Sequence, residues 1–277
     1  MQREDIIRLV EDFIARDPGN VISGDYALRP DLAGVRMYDA PRLRFGDAED
    51  PYFDRLREPG VIGPHFQKPE DWLPGARTVI SVFLPFSREV RVDNRADMSW
   101  PSPAWLHARI EGQEMIVRLT RVLRDTLRDA GHAAVAPLLD ERFRSRGRLP
   151  NESGFDAYTS NWSERHAAFI CGHGTFGLSK GLITHQGVAG RFTSVITDRG
   201  LPVDGRSYTG IYEHCSRCGA CVDNCPADAI SLEAGKDHEK CALFLAKTRA
   251  ECTPRYGCGK CQVKVPCETK ACVRAAP

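Results

Sequence analysis

The chain has 277 residues, of which 42% are hydrophobic and 27% are charged, as in globular proteins of one or two domains. Thirty-eight basic residues against thirty-seven acidic ones leave a formal net charge of +1, which excludes a bulk electrostatic affinity for nucleic acid. There is no run of about 18 apolar residues, and the first residues lack the apolar core of a secretory signal. We therefore expect a cytoplasmic protein without a membrane segment.

The first half of the chain contains several segments with clear periodicity. Apolar side chains at helical spacing predict helices over residues 3–16 and 104–130. A β-branched run over 77–83 predicts a buried strand, and another strand is expected at 132–136. Residues 20–76 are rich in Pro, Gly and Asp, which predicts long loops with short strands.

A short helix and two strands are expected after the middle of the chain. The segment SERHAAFIC, residues 163–171, has helical periodicity. Strands are predicted over 181–185 and 191–197, and the Gln186-Gly187 pair between them predicts a turn.

Cysteine is distributed very unevenly. Of eleven cysteines only Cys171 precedes residue 215, and the other ten lie between Cys215 and Cys272. The composition shifts towards Cys, Pro, Lys and Gly near residue 205, so we predict one domain over 1–204 and another over 205–277. An odd number of cysteines gathered at one end of a cytoplasmic chain favours metal ligation over disulfides.

The strongest motif is C-x2-C-x2-C-x3-C-P, formed by Cys215, Cys218, Cys221, Cys225 and the proline that follows. Bacterial ferredoxins have this spacing: three thiolates hold one cubane and the fourth reaches the other. Structural zinc sites more often use separated C-x2-C pairs, so the motif favours iron–sulfur over zinc.

Two [4Fe–4S] clusters require eight thiolates, and the later cysteines provide the remaining four. We predict a first cysteine set of Cys215, Cys218, Cys221 and Cys267. We predict a second cysteine set of Cys225, Cys241, Cys258 and Cys261. Cys272 could replace Cys267 in the first set, whereas Cys171 and Cys252 are expected to be ordinary thiols. Two clusters form a path for single electrons, and the long upstream segment should receive them.

Residues 172–177 read GHGTFG, a literal G-x-G-x-x-G. A dinucleotide site requires a strand before this pattern and a helix after it, whereas here a predicted helix precedes it and strand-like residues follow. We instead predict that Gly172, Gly174 and Gly177 bring the backbone close to a flat, bulky ligand, with a simple tight turn as the alternative.

A known superfamily is recognisable in two segments, WSERHAAFICGHGTFGLSKGLITHQGVAGRFTSVITDRGLP at 162–202 and CSRCGACVDNCP at 215–226. They resemble the epoxyqueuosine reductases and reductive dehalogenases, which are cobalamin- and iron–sulfur-dependent reductases. The sixteen-residue step from Cys225 to Cys241 also fits the epoxyqueuosine reductase pattern. The resemblance implies an α/β (α+β) fold: a nitroreductase-like core that carries cobalamin, with a C-terminal ferredoxin-like double-cluster module.

The same resemblance implies roles for individual side chains. Glu164 and Arg165 would orient the cofactor pocket, although an exposed ion pair at a helix start is an equally good interpretation. Arg191 and Phe192 would begin a strand beside the corrinoid, where Arg191 could hold a propionamide or an anionic substrate.

A proton donor is also implied, at a position where this chain departs from the epoxyqueuosine reductases. Those enzymes carry an aspartate six residues before the Glu of the E-R pair, and this chain has Tyr158 there. Reductive dehalogenases use a tyrosine, so Tyr158 is the predicted donor, with Asp156 as a neighbouring candidate.

The leading expectation is an oxidoreductase that passes electrons through two clusters to a corrinoid, which reduces a small molecule. One alternative is an electron-transfer or corrinoid-handling protein with no organic substrate. Another alternative is an epoxyqueuosine reductase that acts on tRNA. It would be a shortened member of that family, because the chain ends soon after the last cysteines without the family's C-terminal helical domain. The expected electron donor is a flavodoxin or ferredoxin, for which a helix face could provide a docking surface: Arg118, Arg121, Arg124 and Arg128.

Overall fold

The computed structural model of this protein describes residues 1–146 and 158–272. The helices of this part are α1 (Arg3–Arg16), α2 (Tyr52–Arg55), α3 (Pro69–Trp72), α4 (Arg88–Ala96), α5 (Pro103–Asp129), α6 (Glu164–Ile170), α7 (Ala220–Asp223) and α8 (His238–Cys252). Its strands are β1 (Arg42–Asp47), β2 (Thr78–Pro85), β3 (Ala134–Val135), β4 (Ser145–Arg146), β5 (Thr159–Ser160), β6 (Gly174–Phe176), β7 (Leu182–Thr184), β8 (Gly190–Thr197), β9 (Ile230–Ser231) and β10 (Gly235–Lys236).

A four-stranded antiparallel sheet in the order β1-β2-β8-β3 forms the centre of the fold. Strand β2 pairs with β8 over its full length, from Thr78 opposite Thr197 to Pro85 opposite Gly190. Every residue of β2 is buried, as its continuous run of β-branched and apolar side chains requires. The strand predicted over 77–83 is therefore confirmed.

Apolar layers cover both faces of this sheet. Helices α1 and α5 pack on one face through side chains such as Val10 and Leu123. Helix α6 and an aromatic cluster cover the other face, where Trp162 stacks on Phe53 and Phe66 with ring centroids 6.0 and 5.8 Å apart. A mixed α+β architecture results, as the sequence predicts.

Helix α5 is the longest element, and its ends follow from local sequence. The Ser102 hydroxyl accepts a hydrogen bond from the Trp105 amide at 3.3 Å, and Pro103 occupies the first turn, where no amide donor is needed. The helix ends before Gly131, whose φ of +82° is the left-handed conformation typical of helix termination. The predicted helix over 104–130 is confirmed, as are α1, β3 and α6.

The turn predicted between β7 and β8 is also present, but the two strands have different partners. Thr184 and Gly187 form two backbone hydrogen bonds, of 3.0 and 2.9 Å. Strand β7 pairs with β6, whereas β8 pairs with β2 and β3. The C-terminal segment approaches this turn closely: a Cβ on Gly187 would lie 2.1 Å from the Glu268 carbonyl oxygen. Glycine is required there by this contact with a segment 80 residues away.

Buried polar side chains hold the C-terminal segment on helix α4. Glu268 accepts hydrogen bonds from Arg91 and from the Nε of Arg95, both at 3.0 Å. Lys260 is fully buried, and its ammonium donates to the carbonyl and side-chain oxygens of Asn94, both at 2.7 Å. These contacts cross the predicted domain boundary, so they fix the cysteine-rich segment on the upstream core. No helix in the described ranges is long and apolar enough to cross a bilayer.

Candidate cofactor site

A cavity of about 560 Å³ lies where the central sheet meets the cysteine-rich segment. Its upstream walls are the first half of α5, the start of α6 and the beginning of β8. Its other walls come from α8 and from the loops that carry the late cysteines. This volume is in the range that proteins use for small ligands and cofactors, so the cavity is the main candidate site.

All four members of the second cysteine set line this cavity: Cys225, Cys241, Cys258 and Cys261. Burial raises the pKa of Cys258 to about 12, and the nearby Cys261 and Cys241 raise it further. Burial also raises the pKa of Cys261, with Cys241 and Cys225 adding to the effect. These four thiols are therefore gathered in one place, where bound metal would stabilise their thiolate forms.

The first cysteine set surrounds a smaller void beside β6 and β7. This void is lined by the four members of that set, Cys215, Cys218, Cys221 and Cys267, and also by Cys261 and Cys272. Burial raises the pKa of Cys267 to about 12, and the nearby Cys272 contributes next. Both candidates for the fourth ligand thus lie at the same place, and the choice between them stays open.

The two remaining cysteines lie elsewhere. Cys171 is buried in the core, with its Sγ 3.6 Å from the Val79 carbonyl oxygen, and burial raises the pKa of its thiol. Cys252 ends helix α8 and lines neither space. Their positions agree with the expectation that they are ordinary thiols.

The spacing of the thiols is relevant to the kind of metal. Within residues 1–146 and 158–272, no group of three or more His, Cys, Asp or Glu converges on the position of a single metal ion. The thiolates of a cubane bind different irons, so they stand further apart than the ligands of one zinc ion. The preference for iron–sulfur over zinc rests on the C-x2-C-x2-C-x3-C-P spacing of the sequence.

Helix α6 begins at the cavity wall and places Glu164 and Arg165 there. Burial raises the pKa of Glu164 to about 7. Hydrogen bonds from Ser194 and Trp162 lower this pKa, but their effect is smaller than that of burial. The Glu164 Oε2 has no hydrogen-bond partner, and neither has the Oε1 of Gln262, another wall residue. Buried acceptors without partners are rare, so these two atoms fit a ligand that brings hydrogen-bond donors.

Three arginines face the same cavity: Arg109, Arg165 and Arg191. Arg165 is exposed and donates to the Lys180 carbonyl at 2.7 Å. Burial lowers the pKa of Arg191 to about 10, and the charge of Arg109 lowers it further. The wall thus carries several cations, together with Lys236.

The structure brings together four of the predicted cofactor-site residues: Glu164, Arg165, Arg191 and Phe192. The ring of Phe192 packs on that of Phe83, with centroids 4.8 Å apart, and so presents an apolar wall. Three further wall or support residues were not identified from the sequence: Arg109, Gln113 and Tyr256. They lie on a long helix and in an irregular loop, where no local motif distinguishes them from surface residues.

The three glycines of the G-x-G-x-x-G segment lie outside this cavity. A Cβ on Gly174 would lie 2.0 Å from the Ile183 carbonyl oxygen, and one on Gly172 would lie 3.0 Å from the Gly205 carbonyl oxygen. Gly177 borders the void of the first cysteine set, where a Cβ would lie 3.8 Å from the Cys215 Sγ. Close packing of the chain, rather than a flat ligand in the large cavity, accounts for these glycines.

Of the two predicted proton donors, Tyr158 is described by the structure and is not among the described cavity walls. Tyr158 has a φ of +64° and its ring lies 6.0 Å from that of His238, at the start of α8. The nearby Ser160 does line the cavity, but Tyr158 does not. Asp156 lies outside the described residues. The catalytic role of Tyr158 stays a prediction.

Replacing Glu164 by glutamine should change how stability depends on pH. The ordinary pKa of this carboxyl is 4.5 and the folded-state value is about 7, so the folded protein holds the proton more tightly than the unfolded chain. The free energy of unfolding therefore falls as the pH rises through this interval, by roughly 3 kcal/mol in all. We expect Glu164→Gln to be more stable than the parent at about pH 8.5 and similar at about pH 4.5.

Thermal unfolding of the cobalamin-free protein under anaerobic conditions, recorded across that pH range, provides the measurement. Glu114, an exposed residue of α5, offers the matched control Glu114→Gln. If the difference in stability between the parent and Glu164→Gln does not grow with pH, then Glu164 is ionised over the whole pH range measured.

Comparison with known proteins gives two kinds of match. A 4Fe–4S binding domain matches residues 208–231, which contain the C-x2-C-x2-C-x3-C motif. The epoxyqueuosine reductase of Bacillus cereus is 25% identical over 226 residues, which cover 75% of this chain and 53% of that protein. The chain thus contains a 4Fe–4S binding domain, and it spans about half the length of this curated relative.

Solved structures share its fold. An epoxyqueuosine reductase in complex with an epoxyqueuosine-modified tRNA stem loop matches with a TM-score of 0.52 and 17% identity, over 96% of this chain and 65% of that one. A catabolic reductive dehalogenase matches with a TM-score of 0.51 and 19% identity, over 83% of this chain and 30% of that one. These matches confirm the resemblance and the mixed α/β fold class predicted from the sequence, whereas the second cluster and cobalamin stay predictions.

Proposed function

We propose that this protein is a cobalamin-dependent iron–sulfur reductase, similar to the epoxyqueuosine reductases but acting on a small molecule. One observation carries the proposal: the second cysteine set and the walls formed by α5, α6 and β8 enclose the same cavity. A cluster bound by these cysteines would lie directly beside whatever the cavity holds. An electron could then pass from cluster to ligand without crossing intervening protein.

The route into the cavity follows from the exposure of the cysteines. Cys218 of the first set is exposed, so the first cluster would lie near the surface, within reach of an electron donor. Cys261 borders both the void of the first set and the large cavity. We infer that electrons enter at the first cluster, move to the second and then reach the cavity.

The electron donor would then dock near Cys218 rather than on helix α5. Three of the four arginines of the predicted docking surface on α5 already have partners within the chain: Arg118 binds Asp17 at 2.7 Å, Arg124 binds Asp125 at 2.8 Å, and Arg128 donates to the Ala134 carbonyl at 2.9 Å. A flavodoxin or ferredoxin remains the proposed donor, because either carries single electrons.

The cavity residues fit a corrinoid. Glu164 and Gln262 each offer an oxygen without a hydrogen-bond partner, and the rim of a corrin ring carries amide donors. Trp105 and Phe192 offer apolar surface for the ring itself. The chemistry that a bound corrinoid supplies here is electron transfer from the cluster to the substrate. Glu164, with its pKa of about 7, can hold and release a proton at this wall near neutral pH.

Binding of cobalamin to the anaerobic, cluster-loaded protein tests the proposal. We expect about one cobalamin to stay with each chain through gel filtration, and reduction of the clusters to reduce it in turn. Protein that keeps its cluster absorbance but retains no corrinoid would overturn the cobalamin part and leave the electron-carrier function.

Replacing Gln262 by leucine should weaken cobalamin binding roughly threefold to tenfold, because one hydrogen bond is lost. Gln186→Leu is the matched control, since the Oε1 of Gln186 is also buried without a partner but lies outside the cavity. Absorbance titration with cobalamin gives both affinities. Equal weakening by the two variants would contradict a role for Gln262 in the site.

A second candidate function is corrinoid reduction on behalf of another enzyme, with no organic substrate. Tyr158 does not line the described cavity wall, so a reductase would rely on Glu164 for the substrate's proton. Product formation that is lost in Glu164→Gln would support the reductase, whereas reduction of cobalamin without any product would support the second candidate. Conversion of epoxyqueuosine-containing tRNA tests the tRNA alternative.

A further inference from the structure

Two guanidinium groups in the cavity wall are held in place by neutral partners. Arg109 of α5 donates from Nη2 to the Tyr256 hydroxyl at 3.0 Å, and its guanidinium lies 4.8 Å above the Tyr256 ring. Arg191 of β8 donates from Nη2 to the Gln113 Oε1. Neither forms an ion pair with any carboxylate of the described chain.

Arg109 and Arg191 are half-buried, and three other buried or half-buried arginines of this chain are neutralised. Arg255 pairs with Glu111 and Arg206 with Asp50, each at 2.5 Å, and Arg91 pairs with Glu268 at 3.0 Å. A buried charge without a counterion is costly. The contrast indicates that the counterion of Arg109 and Arg191 comes from outside the chain.

The clusters do not account for these two charges. The negative charge of a cluster bound by the second cysteine set would be felt most strongly by Arg165, which lies beside Cys241 and Cys261. The charged groups near Arg191 are instead Arg109 and Arg165, and the two nearby tyrosines, Tyr38 and Tyr256, are neutral. Among the described wall residues, Glu164 is the only carboxylate, and it pairs with neither arginine. Among the described wall residues, no carboxylate therefore offsets the electrostatic repulsion between Arg109 and Arg191.

We propose that Arg109 and Arg191 form a subsite for one anionic group, a phosphate or a carboxylate. Gln113 and Tyr256 orient the two guanidiniums, whose remaining N–H groups provide the paired donors that suit such oxyanions. The anion has two possible sources: the phosphodiester of a corrinoid nucleotide tail, or an acidic group on the substrate. The identity of the ligand rests on the proposed function, whereas binding of an anion does not.

Titration of the cluster-loaded, cobalamin-free protein with inorganic phosphate tests the subsite. Calorimetry at constant ionic strength should show one site, weakened roughly tenfold to a hundredfold in Arg109→Met and in Arg191→Met. Arg191→Lys keeps the positive charge but loses the paired N–H donors of the guanidinium, so this variant should bind phosphate with intermediate affinity. Arg118→Met is the control, because Arg118 lies on the same helix but pairs with Asp17 away from the cavity. Iron content and circular dichroism confirm that each variant is folded.

Comparison of cobalamin with cobinamide, which lacks the nucleotide tail, identifies the source. If the tail phosphate is the ligand, phosphate competes with cobalamin, and Arg191→Met removes the preference for cobalamin over cobinamide. If the substrate is the ligand, phosphate still binds to the cobalamin-loaded protein and the preference is unchanged. Either result supports the subsite.

Phosphate binding that is absent, or equal in the parent and both methionine variants, would overturn the subsite. Failure of the proposed function looks different: cobalamin would not be retained, yet phosphate would still bind to the parent and be lost in Arg109→Met and Arg191→Met.

Discussion

Replacing Cys241 by serine is expected to remove one cluster, with iron falling from about eight atoms per chain to about four. Cys241 lines the cavity together with the other three members of the second cysteine set, so its loss leaves that cluster with three ligands. The first cluster should remain. Because the second cluster is the proposed link to the cavity, reduction of bound cobalamin should then cease.

Cys252→Ser provides the matched control, since Cys252 lies in the same helix but borders neither cluster space. Iron and sulfide analysis and electron paramagnetic resonance of the reduced protein supply the measurement. Equal iron contents in the two variants would contradict the assignment of Cys241. The same analysis of Cys267→Ser and Cys272→Ser decides which of these closes the first cluster.

Replacing Glu268 by glutamine is expected to lower stability by about 2–4 kcal/mol, because a buried ion pair with Arg91 and a half-exposed one with Arg95 lose their shared carboxylate. The Glu268 side chain is 4% exposed, that of Arg91 is 14% exposed and that of Arg95 is 40% exposed. For a chain of this size the melting temperature should fall on the order of 5–15 °C. The first cluster should also become more labile, since Glu268 follows Cys267 directly.

Anaerobic thermal unfolding of the cluster-loaded protein measures this effect. Asp12→Asn is a suitable control, because it breaks an exposed pair in which Arg16 and Asp12 are 79% and 63% exposed. Such surface pairs contribute about 0–1 kcal/mol. A similar change in both variants would show that Glu268 does not hold the two parts of the chain together.

The elements that could be predicted from the sequence are those with local signals. Helix α5 has an N-cap, a proline and a terminating glycine within one continuous segment, and β2 is a short run of β-branched residues between turns. Strand β1 was not located, because Arg42–Asp47 alternates only briefly and pairs with a strand over 30 residues later. Pairings of this kind depend on contacts that no local pattern contains.

In the candidate site, too, residues within a local motif could be predicted, whereas residues brought together by distant contacts could not. Only the run from Cys215 to Cys225 has a contiguous spacing; the structure places the later cysteines beside it in two spaces, and the division into two ligand sets stays a prediction. Arg109 and Arg191 are 82 residues apart, and only the packing of α5 against β8 makes them neighbours. Gly172 and Gly174 form a recognisable motif, yet their role is close packing against Gly205 and Ile183. A motif shows that a residue is constrained, whereas the constraint itself is visible only in three dimensions.

The cysteines in the cavity wall have a consequence for how the proposed cofactors would be loaded and lost. Cys241, Cys258 and Cys261 line the cavity, so a cluster bound to them would help to set the cavity's shape. Cluster assembly should therefore precede loading of the second cofactor. Oxygen, which destroys exposed clusters, would then release both cofactors together, and recovery in the cell would require iron–sulfur repair before corrinoid supply.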